Sequence, residues 1–74
     1  MDIEARLRRL ESRYRSALSA SVAAKANYLA LAGEPCATPF AIERAKALWQ
    51  EFDGRKRAIA AQMGELEALA DAAY

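Results

Sequence analysis

The chain has 74 residues, with 11 Lys+Arg against 10 Asp+Glu and no His, for a formal net charge of +1. That length allows at most one small domain, and the near-neutral balance argues against a generic nucleic-acid binder. With one Cys and no His, the chain offers no internal disulfide, no zinc-ligand set and no Cys–His pair, so metal and thiol-dyad chemistry are excluded.

Hydrophobic residues make up 54% of the chain, but 19 of them are Ala, so bulk rests on 8 Leu and a few larger side chains. A core built from these is thin, and a partner would help to complete it. No apolar run approaches the roughly 18 residues of a membrane span, and no charged-then-apolar signal segment is present. The expectation is a soluble cytoplasmic protein that does not insert into a membrane.

From the N-terminus, Asp2 is placed to cap a helix, and Ile3, Leu7, Leu10, Tyr14, Leu18, Val22 and Leu29 recur at spacings of three, four and seven. Neither Pro nor Gly interrupts before Gly33, so the first helix is predicted over about residues 2–32. In the following stretch Gly33-Glu34-Pro35-Cys36-Ala37-Thr38-Pro39, Gly33 suits a left-handed helix end, Thr38 an N-cap and Pro39 a first helical position. Residues 33–38 are therefore a loop.

Beyond it, Ile42, Ala45, Trp49, Phe52, Lys56, Ile59, Met63, Leu66, Ala70 and Ala73 alternate three and four without a slip, which is a heptad seam. Asp53-Gly54 and Gly64 are weak points, each costing about 1 kcal/mol in a helix interior. Because the seam keeps its phase across both, one helix over about residues 39–72 is expected; a break at Asp53-Gly54 would give three helices instead.

Two helices of similar length on a short loop fold back as an antiparallel hairpin, so the fold class is all-α, one domain over 1–74, open to completion as a bundle by a partner chain. Charge agrees. Arg6, Arg8, Arg9, Arg13 and Arg15 open the first helix and Glu65, Glu67 and Asp71 close the second, each the wrong sign for its own dipole but offset when the two ends lie side by side. Glu4–Arg8, Glu11–Arg15, Glu51–Arg55 and Asp53–Arg57 are i,i+4 pairs that add helix support.

In the loop-proximal half of the first helix, Val22 and Leu29 diverge to one side of the stripe and Tyr28 and Leu31 to the other, an apolar arc of about 180° that one facing helix does not cover. With Leu48 and Trp49 opposite, the candidate partner-binding set is Val22, Tyr28, Leu29, Leu31, Leu48 and Trp49; a wide Ala-softened core in a self-associating hairpin is the plainer explanation. The small residues Ser19, Ala20, Ser21, Ala23, Ala24 and Ala26 permit close helix approach, as any Ala-rich helix does. If residues whose numbers sum to about 70 face each other, Arg13, Arg15, Arg55, Lys56 and Arg57 form a belt, self-neutralised by Glu11, Glu51 and Asp53, with Lys56 opposite Tyr14. Cys36 has no basic neighbour and reads as an inert thiol. No nucleophile–base pair or Gly-rich phosphate loop is present, so the chain is not expected to be an enzyme or to bind a cofactor.

The loop Gly33-Glu34-Pro35-Cys36-Ala37-Thr38-Pro39-Phe40 between Ala- and Leu-rich helices, together with Ala45-Lys46-Ala47-Leu48, resembles the small helical-hairpin co-chaperones of type III secretion needle subunits. The resemblance implies a tetratricopeptide-like chaperone as partner, held by the loop-proximal apolar surface, and a heterodimer that keeps the needle subunit from polymerising early. Needle subunits themselves usually turn through two prolines three apart, whereas Pro35 and Pro39 are four apart. The competing class is a self-associating structural hairpin that forms a homodimeric four-helix bundle.

Overall fold

The computed structural model describes residues 2–73, the side chain of Ala73 excepted, as two helices, α1 (Ile3–Ala32) and α2 (Pro39–Ala73), and no strand among them. They pack along their whole length as an antiparallel hairpin with overall dimensions of 58 × 15 × 14 Å. Asp2, in an extended conformation, caps α1 by accepting from the Ala5 amide at 3.2 Å. Thr38 caps α2 in the same way: its hydroxyl accepts from the Ala41 amide at 3.1 Å and its carbonyl from the Ile42 amide.

Gly33 departs from expectation. Its φ of −88° and ψ of −4° are right-handed, and its amide donates to the Leu29 carbonyl at 3.2 Å while that of Glu34 donates to Leu31. The chain leaves α1 through a continued helical turn, so no left-handed residue is needed to satisfy the last carbonyls. α2 runs unbroken through Asp53-Gly54 and Gly64, which removes the three-helix alternative. A Cβ at either glycine would meet nothing within 4 Å, so neither serves a close approach.

The α2 seam is the expected one: Ala45 and Leu66 are buried, and Ile42, Trp49, Phe52, Lys56, Ile59, Met63 and Ala70 are half-buried. The position expected at Ala73 lies outside the described side chains. The α1 seam differs in its second half. Inward positions run Ile3, Leu7, Leu10, Tyr14, Ala17, Ser21, Ala24, Tyr28 and Leu31, alternating four and three throughout, while Leu18, Val22 and Leu29 are exposed. The heptad never slips; its middle is filled by Ala and Ser, and large side chains beside it gave the impression of a stripe that diverges.

Register is set by two contacts. Tyr28 stacks on Trp49 with ring centroids 5.8 Å apart and planes inclined by 19°, and Tyr14 shares a groove with Met63. α2 is thus shifted by roughly two turns, or about 10 Å, from the register assumed above. Lys56 lies across from the buried Ser21 and not Tyr14, and Arg13 and Arg15 stand well below Arg55, Lys56 and Arg57, so the expected basic belt does not form. The small inward residues Ala17, Ser21 and Ala24 across from 52–59 leave room for Phe52, Lys56 and Ile59, the large-against-small alternation of close-packed helices.

Candidate protein interface

Four ion pairs were expected along the helices, and two close: Arg55 with Glu51 at 2.7 Å and Arg57 with Asp53 at 3.0 Å. Among the described residues Glu4–Arg8 and Glu11–Arg15 are not within ion-pair distance. Asp53 also accepts from the Lys56 ammonium at 3.1 Å. That hydrogen bond, opposed by partial desolvation and aided by the positive charges of Arg57, Lys56 and Lys25, holds the Asp53 carboxyl below its usual range. The cluster turns a half-buried Lys56 in the seam into a paired charge.

The heptad phase of both helices divides the hairpin into two flanks. On one, Asn27, Leu31, Phe40, Ala41, Arg44 and Leu48 line a shallow groove beside the loop, and Arg6, Arg9, Arg13, Gln62, Glu65 and Leu69 line its continuation toward the free ends. The other carries Leu18, Val22, Lys25 and Leu29 from α1, at spacings of four, three and four, with Asp53, Ala60, Gly64 and Glu67 from α2. For brevity these are the groove flank and the valine flank.

The six expected partner-binding residues are distributed over three places. Tyr28 and Trp49 are half-buried and stack on each other within the seam, with the Lys25 ammonium 5.6 Å from the Trp49 ring centroid. Leu31 and Leu48 share the groove flank, where Leu48 is 45% exposed and Phe40, which the sequence reading had not placed in the set, is 72% exposed. Val22 and Leu29, at 60% and 56%, stand on the valine flank. Phe40 is legible in the sequence as one of the few large aromatic anchors, but it falls outside the heptad period of α2, so no spacing places it on the binding surface.

Surface is what this arrangement offers. The chain exposes 5594 Å², whereas a compact monomer of 8.1 kDa exposes about 4,500 Å². No large side chain among the described residues is completely withdrawn from solvent. Among those residues no helix is long and apolar enough to cross a membrane, and no group of three or more Cys, Asp or Glu is arranged to hold a metal ion. Cys36 is exposed in the loop.

The architecture defines an antiparallel α-helical hairpin whose two flanks both carry exposed apolar side chains near the loop. Set against protein-family models, curated proteins and solved structures, the chain matches none.

Proposed function

We propose that the chain is a non-enzymatic protein-binding module whose loop-proximal flanks are covered by helices of another protein chain. The observation that carries this is the surface excess: roughly 1,100 Å² more than a compact monomer of this mass, close to what a specific interface buries. Its apolar part is concentrated where Leu29, Leu48 and Phe40 flank the loop. Amphipathic helices laid into such grooves bind through anchors spaced along one face.

The resemblance of the loop and of Ala45-Lys46-Ala47-Leu48 gives this module a specific role, a cytoplasmic co-chaperone that stabilises a tetratricopeptide-like chaperone and helps to keep a type III needle subunit unpolymerised. Co-expression of the chain with such a chaperone and needle subunit tests the role. A stable complex in which the subunit stays unpolymerised is expected, and Leu48→Glu should release the chain from it. If neither protein is retained, the co-chaperone role is wrong.

A further inference from the structure

The two flanks differ in charge as well as in shape. Toward the free ends, the groove flank has Arg9 and Arg13 against Glu65, an excess of positive charge. At the same height the valine flank has Glu4, Glu11, Glu67 and Asp71 against Arg8 and Arg15, an excess of negative charge. Toward the loop both flanks carry exposed apolar side chains among charges: Phe40, Leu31 and Leu48 beside Arg44, Arg55 and Glu51 on one, Leu18, Val22 and Leu29 beside Lys25, Lys46, Arg57, Glu43 and Asp53 on the other. A groove flank laid on a second copy's valine flank, loops at the same end, therefore sets opposite charge against opposite charge at the free ends and brings the exposed apolar groups of the two flanks together near the loop. Groove on groove, or valine on valine, sets like charge against like when the loops coincide, and sets the exposed apolar groups against the charged free ends when they do not.

We propose that a second copy of this chain occupies each flank, groove flank against valine flank, so that copies add head-to-tail in place of closing as a two-fold dimer. The proposal rests on the reading that the flanks are protein-binding surfaces and names the occupant. A flank of 58 × 15 Å has a footprint on the order of 800 Å², the area that a standard interface takes from each partner. Because the contact is heterologous, each copy retains one free flank of either kind, and the assembly extends or closes as a ring.

Sedimentation of three forms tests it: wild type, Val22→Glu and Leu48→Glu, each alone and the two variants mixed. Both positions are exposed, so circular dichroism should show unchanged helicity. Wild type should pass beyond dimer as concentration rises. Each variant alone should be monomeric, since every copy lacks the same flank, and the equimolar mixture should give a one-to-one dimer through the two intact flanks. If wild type stops at a dimer that only one of the substitutions abolishes, or if the mixture stays monomeric, the head-to-tail contact is wrong. Should either variant lose helicity, Arg13→Glu and Glu11→Lys provide a second pair: each alone should weaken association severalfold and the mixture should restore it, and no restoration overturns the proposal. A wild-type chain that stays monomeric but forms the complex with chaperone and needle subunit overturns self-assembly and leaves the protein-binding reading standing; one that does neither overturns both.

Discussion

Gly54 and Gly64 sit in the middle of α2 with open space where a Cβ would be, so each carries the helix cost of glycine without a structural return. Gly54→Ala and Gly64→Ala should each stabilise the hairpin by about 0.5–1 kcal/mol, measured by urea unfolding at one fixed protein concentration. Gly33→Ala should be nearly neutral, because its φ is −88° and an added Cβ would stand 3.6 Å from the Leu29 carbonyl oxygen, an ordinary contact. A left-handed Gly33 would instead make that substitution costly, so the one variant separates the two geometries. Thr38→Ala removes the hydroxyl that receives the Ala41 amide and should cost roughly 1 kcal/mol in the same assay. At Asp53 the sign of the pH dependence follows from the lowered pKa. The carboxylate is stabilised in the folded chain by Lys56, Arg57 and Lys25, so its contribution is complete above the usual carboxylate range and is lost as pH falls through the depressed folded value. Asp53→Asn should flatten the acid limb of a stability–pH curve without moving its alkaline limb.

At the scale of the helices, the informative contrast is between α2, whose seam is read correctly at each described position from Ile42 to Ala70, and α1, whose seam is read correctly only as far as Tyr14. α2 places a large or medium apolar group, or Lys56, at nearly every inward position, so its period stands out. In α1 the inward positions 17, 21 and 24 are Ala, Ser and Ala, while Leu18 and Val22 beside them carry the bulk. Hydropathy follows bulk, and packing here follows the space left by Phe52, Lys56 and Ile59. Tyr28, expected on the partner-binding surface, is half-buried and stacks on Trp49. Tyr28→Ala and Trp49→Ala should each destabilise the hairpin by about 1–3 kcal/mol, and a double-mutant cycle should return a coupling of about 0.5–1.5 kcal/mol from the stacked rings. Additive losses would mean that the rings do not interact. Capping was legible at both helix starts because Asp2 and Thr38 offer side-chain oxygens at the required position, whereas the end of α1 at Gly33 was legible in place but not in conformation.

For the whole molecule, the hairpin is long, narrow and incompletely covered. Its 58 Å length comes from helices of 30 and 35 residues, and a single seam between two helices buries one stripe of each. The rest of the apolar surface is divided between the groove flank and the valine flank and stays exposed on the hairpin. Half of this was legible in the sequence: an excess of apolar arc near the loop was expected, and Val22, Leu29 and Leu48 are exposed there. The division into two unlike flanks was not, since it depends on the register between the helices, and the sequence contains no short signal for a shift of roughly two turns. The proposed dependence on other chains is tested most directly by thermal melting followed by circular dichroism across about a hundredfold dilution, with sedimentation at the same concentrations. A melting temperature that falls on dilution while the mass falls toward the monomer is the predicted result; a high melting temperature that does not move while the chain sediments as a monomer throughout would contradict it.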